Sequence, residues 1–178
     1  MPGSLEDLLM VETSRRNTDL VADLVYQDPS IFNELISVYL RAEEPVSRRA
    51  AWIVDTVSEK LPELLKPFIP DIIAQLPGFS HDGLKRHSLR MLTRYNIGEN
   101  ESGHLISYCF DILSKPLESI AVKVHAMEIL YRMSCQEPDL KNELAETIEW
   151  RMEEESAGFR NRGMKILKRL YKEIDKAT

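Results

Sequence analysis

The chain has 178 residues, with 23 Lys and Arg against 29 Asp and Glu, and a formal net charge of −6. Hydrophobic residues make up 43% and charged residues 29%, the usage of one globular domain, which excludes a chain disordered throughout. Two cysteines exclude a disulfide framework, and 7 glycines with 9 prolines exclude collagen-like or low-complexity sequence.

The N-terminal MPGSLEDLLMVETSRR has neither a basic n-region nor a continuous apolar h-region, so it does not read as a signal peptide. No stretch approaches the ~18 apolar residues of a membrane span. Cys109 and Cys135 lie in helical patterns among apolar neighbours and read as free, buried thiols. A reducing cytoplasm is the expected setting.

Apolar residues recur at helical spacing throughout. Ile69, Ile72, Ile73 and Leu76 stand at i, i+3, i+4 and i+7, as do Ile106, Cys109, Phe110 and Leu113. No useful length alternates at period two, so the expected fold class is all-α. Helices are predicted over 4–14, 16–27, 30–42, 46–60, 67–76, 82–96, 102–114, 118–134, 139–153 and 157–174. Asp28-Pro29-Ser30 reads as a cap followed by proline at the first helical position, and Glu44-Pro45 and Glu137-Pro138 stand at similar starts. Leu76-Pro77-Gly78 and Ile97-Gly98 act as stops.

Every second helix can be laid over the others: SRRAAWIVDTV (47–57), KRHSLRMLTRY (85–95), KVHAMEILYRM (123–133) and RNRGMKILKRL (160–170). A small residue recurs at Ala50, Ser88, Ala126 and Gly163. An apolar stripe recurs at Ile53, Val54 and Val57, at Met91, Leu92 and Tyr95, at Ile129, Leu130 and Met133, and at Ile166, Leu167 and Leu170. A partial earlier copy is visible in SRRNTDLV (14–21). One hairpin cannot bury its own apolar face, and stacking the next hairpin on it completes the core. The pattern predicts a single domain over 1–178, with an N-terminal partial or capping repeat over 1–29 and helix pairs over 30–66, 67–101, 102–138 and 139–174.

The segment PVSRRAAWIVDTV resembles the second helix of a HEAT repeat, with matching residues at Val46, Arg48, Ala50, Ala51 and Val54. The pattern extends over nearly the whole chain, although the period falls short of the ~40–47 residues usual for HEAT and armadillo repeats. The inter-repeat Asp/Arg ladder is incomplete, since the place of Arg48 becomes Arg86, Val124 and Asn161 in turn. The resemblance implies a short, divergent right-handed α-α superhelix (HEAT-like, armadillo-like solenoid) of four to five stacked antiparallel helix pairs. It also implies that the second helices line the concave surface.

Charge is sorted along the chain. Segments 45–60, 82–97, 118–134 and 156–174 hold 15 Lys and Arg against 6 Asp and Glu, while the rest is strongly acidic. The bases form columns three and four residues apart. Arg49, His87, His125 and Arg162 make one, Trp52, Arg90, Glu128 and Lys165 the next, and Thr56, Arg94, Arg132 and Arg169 the third. Two readings follow. In one, these bases are a solvated face paired with acids on neighbouring helices. In the other, Arg49, Trp52, His87, Arg90, Arg94, His125, Arg132, Arg162, Lys165 and Arg169 form a binding ridge. The expected function is a non-enzymatic scaffold that holds an acidic protein partner on a basic concave face, with no cofactor, no metal and no membrane partner.

The other reading is a nucleic-acid-binding HEAT-like protein, against which the acidic balance counts. A thinner resemblance, to bacterial HEAT-like DNA glycosylases of alkylated purines, implies Trp52 as the aromatic and Asp55 as the carboxylate. His81, His87, His104 and His125 show no zinc spacing. Phosphate loops and a Gly-x-Ser-x-Gly elbow are absent. The acidic run Glu153-Glu154-Glu155 reads as a solvated turn.

Overall fold

A computed structural model describes residues 3–177. Among them every regular element is helical: α1 (Leu5–Met10), α2 (Arg15–Gln27), α3 (Ile31–Leu40), α4 (Val46–Lys60), α5 (Pro62–Leu65), α6 (Ile69–Gln75), α7 (Asp82–Leu92), α8 (Glu99–Ser114), α9 (Ile120–Gln136), α10 (Leu140–Met152) and α11 (Ala157–Ala177). The all-α class is as expected. The chain forms two compact units that divide after Tyr95.

In the first unit α4 is the hub, packed on α3, on α2 and on α7. The partial copy at 14–21 starts α2, which lies against α4, while α1 lies against α3. First helices thus neighbour first helices and second helices neighbour second helices. The second unit repeats the rule. Its hairpins are α8–α9 and α10–α11, with α9 against α11 and α8 against α10.

The predicted apolar stripe is the core. All twelve of its residues are buried, from Ile53 in α4 to Leu170 in α11, and a fully buried side chain of this kind contributes about 1.5–3 kcal/mol. The small column is buried as well. A Cβ on Gly163 would stand 2.8 Å from Ile148 Cγ2 and 3.5 Å from Met152 Sδ, so α10 and α11 approach closely because glycine stands there. At the equivalent place in α7, Ser88 donates to the Leu84 carbonyl at 2.7 Å. Its oxygen remains to accept the buried Tyr39 hydroxyl from α3.

Five expectations are corrected. The helix expected over 67–76 is broken: α5 and α6 are joined and followed by 3-10 turns at Lys66–Phe68 and Leu76–Gly78. Pro62, Pro67, Pro70 and Pro77 each remove an amide donor, which favours short turns over one long ladder. The first helix stops at Met10, and α7 stops at Leu92 rather than 96. The helix placed from 30 starts at Ile31, after a turn in which Asp28 Oδ1 accepts from the Ser30 amide at 3.1 Å and from its hydroxyl at 2.6 Å. Cys109 is buried as expected, and burial pushes its thiol up, but Cys135 is exposed.

Candidate functional site

The second helices carry the bases, and packing decides which remain available. In the first unit the organising group is Asp55 of α4, which is 0% exposed. Its carboxylate accepts from His87 Nδ1 at 2.8 Å, Arg90 Nη1 at 2.7 Å and Arg94 Nη1 at 2.9 Å, all three from α7 or the turn after it. A carboxylate accepts only, so His87 carries its proton on Nδ1. Its Nε2 then faces Arg86 Nη2 at 3.4 Å. Arg94 Nη2 donates to Ser58 Oγ at 2.8 Å and to the Asp55 carbonyl at 3.3 Å. Arg90 reaches on to Glu59. Burial alone would raise the Asp55 carboxyl. Hydrogen bonds from His87 and Arg90 and the charge of Arg94 outweigh it and hold the group below the ordinary carboxylate range.

This seam changes the reading of several predicted ridge residues. His87 is 6% exposed and turned toward Asp55, so it belongs to the joint between α4 and α7 and not to an open face. Trp52 is half-buried, with its indole stacked on the His87 ring at 6.1 Å between centroids. Arg49 is half-buried and donates to the Leu9 carbonyl at 2.9 Å, tying α1 to α4. Thr56, in the third column, is buried. Arg90 and Arg94 keep exposed edges, but both are committed to Asp55 and Glu59. Trp52 and Asp55 do stand one turn apart, yet the carboxylate is enclosed by three cationic or donor groups and has no solvent face.

In the second unit the acid sits on α9. Glu128 takes Arg162 Nη2 at 3.2 Å and Arg169 Nη1 at 3.7 Å, both from α11. The Arg169 guanidinium lies 3.7 Å from the centre of the Tyr131 ring, and the Tyr131 hydroxyl donates to Glu173, which also pairs with Lys141 at 3.1 Å. His125 is half-buried on α9. Arg132, half-buried on α9, and Lys165, exposed on α11, form no ion pair among the described residues. Arg160, Lys168 and Lys172 add exposed cations to α11.

The sequence reading missed one cluster. Lys123 of α9 is 0% exposed and pairs with Glu155, which also takes Arg151 Nη2 at 2.8 Å. Lys123 Nζ further donates to the Pro116 carbonyl at 3.4 Å. Glu155 is therefore no solvated turn residue. Burial opposes its ionisation, and the Lys123 and Arg151 contacts overcome that and hold its carboxyl low. The signal was a lysine inside the apolar run Ile120-Ala121-Val122-Lys123-Val124, because a charge on a core face calls for a partner.

Among the described residues no group of His, Cys, Asp and Glu is placed to hold a metal ion, and no helix is long and apolar enough to cross a membrane. No curated protein and no solved structure matches the chain. A family model described as HEAT repeat domain matches residues 5–170, and with its helix hairpins packed first on first and second on second, the chain belongs to the HEAT repeat domain family.

Proposed function

We propose that this HEAT chain is a non-enzymatic scaffold that holds an acidic protein partner on the cationic face of its second helices. HEAT repeats typically mediate protein interactions. The observation that carries the charge assignment is the α9–α11 face. There the cations outnumber the acids that pair with them, so Arg132 and Lys165 stay unpaired beside Arg162 and Arg169. In the first unit, by contrast, the charge of Arg90 and Arg94 is spent internally on Asp55 and Glu59.

The test compares Arg132→Glu/Lys165→Glu with wild type in affinity capture with and without nuclease, followed by titration of the captured partner. Both residues lack internal partners, so thermal stability stays within about 0.5 kcal/mol of wild type. The expected outcome is nuclease-resistant capture of an acidic protein, weakened at least tenfold by the double reversal. Capture abolished by nuclease, together with DNA or RNA binding that falls steeply with salt, overturns it in favour of nucleic acid. Unchanged capture by the variant removes this face from the binding role.

A further inference from the structure

The outer stripe of α10 is of opposite sign and carries the most exposed indole. Glu143, Glu146, Trp150 and Glu153 recur at i, i+3, i+7 and i+10, which places them on one side of the helix, and Glu154 follows in the turn beyond. Trp150 is 68% exposed. One face of its ring already carries a guanidinium, with Arg151 Cζ 5.4 Å from the ring centre. Arg151 is itself buried and fastened to Glu154 at 3.3 Å and to Glu155, so the indole rests on a fixed cation. Glu143, Glu146 and Glu153 pair with no cation among the described residues. Glu149 accepts the Tyr171 hydroxyl from α11.

A lone exposed apolar residue needs no explanation. A tryptophan at the middle of an unpaired acidic stripe is a different matter. Tryptophan, tyrosine and arginine dominate the hot spots of interfaces, and carboxylates around an indole favour a cation that can lie over the ring. We propose that the outer stripe of α10 docks a basic segment of a partner protein, with an arginine side chain over the free face of Trp150 and further cations on Glu143, Glu146 and Glu153. The occupant is fixed by charge complementarity. An acidic segment is repelled by the stripe, and an apolar one leaves its carboxylates to be desolvated without partners. This surface is independent of the cationic face of the second helices, and it serves a partner segment of the opposite charge.

The test uses the full chain and a short fluorescein-labelled peptide with arginines at every third or fourth position, read by anisotropy. The expected result is saturable, salt-sensitive binding that Trp150→Ala weakens at least fivefold and Glu146→Gln/Glu153→Gln at least tenfold, with helical circular dichroism unchanged in both variants. Trp150→Ala leaves the net charge alone, so it separates docking on the stripe from attraction to an acidic protein in bulk. Equal binding by wild type and Trp150→Ala overturns the proposal. So does a concentration-dependent dimer that forms without peptide and is lost in Trp150→Ala, which assigns the stripe to a second copy of the chain.

Discussion

Asp55 and Arg94 stand 39 residues apart in the sequence, about one repeat, and meet at 2.9 Å between α4 and the turn that ends α7. The contact is a repeat-to-repeat tie. The acid belongs to one second helix and the base to the following one, and neither hairpin can satisfy its member alone. A buried carboxylate with three partners has no substitute in solvent, so the two hairpins must stack in this register for the group to be tolerated.

Removing the acid takes the shared acceptor from His87, Arg90 and Arg94, although both guanidinium groups keep exposed edges and Glu59. Asp55→Ala is expected to cost about 1–3 kcal/mol, the range for a lost hydrogen-bonded buried group whose partners can still reach water, as measured by urea denaturation. The pH dependence carries a sign. The Asp55 carboxyl is held low in the folded state, so its contribution is present above the unfolded value near 4 and is lost as pH falls through the folded value. Glu155, also held low, acts in the same direction. Wild type should lose stability below about pH 4–5 more steeply than Asp55→Asn does. Parallel acid limbs for the two proteins would show that Asp55 ionisation does not support the seam.

Lys123 and Glu155 invite a double-mutant cycle. Lys123→Met leaves Glu155 with Arg151 alone in a closed site, and Glu155→Gln leaves the Lys123 ammonium buried without a countercharge. Each single change should cost about 3 kcal/mol or more, and the double replacement should cost clearly less than their sum, because the desolvation of both charges disappears together. Additive losses by chemical denaturation would mean that the pair carries no coupling.

Gly163→Ala sets two known effects against each other. Alanine gains about 1 kcal/mol of helix propensity. The added methyl meets Ile148 Cγ2 at 2.8 Å, and overpacking of this kind costs about 1–3 kcal/mol. Ile148 is fully buried and Met152 closes the other side, so the neighbours have little room to yield. A net loss of about 1 kcal/mol in thermal unfolding is expected. A gain in stability would show that α10 and α11 can separate freely.

The repeat was legible because its determinants are local and periodic. Ile53, Met91, Ile129 and Ile166 occupy one register on four amphipathic helices, and burial of that register follows from the 3.6-residue period whatever the neighbours are. Gly163 and Ser88 could be read in the same way, since close helix approach selects small side chains. The fate of the charged columns was not legible. Arg94 and Arg132 are equivalent in the repeat, yet Arg94 is bound to Asp55 and Arg132 has no ion-pair partner among the described residues. The difference lies within each unit: α4, packed against α7, offers Arg94 the buried Asp55, whereas Glu128 of α9 is taken by Arg162 and Arg169 of α11. Lys123 stands out in its apolar run, but its partner Glu155 looks like a surface residue until α9 and the end of α10 close over it. Periodicity alone assigned the inward face of each helix, while pairing across the seams decided which outward charges remain available, because an ion pair depends on two side chains brought within about 4 Å by helices distant in the chain.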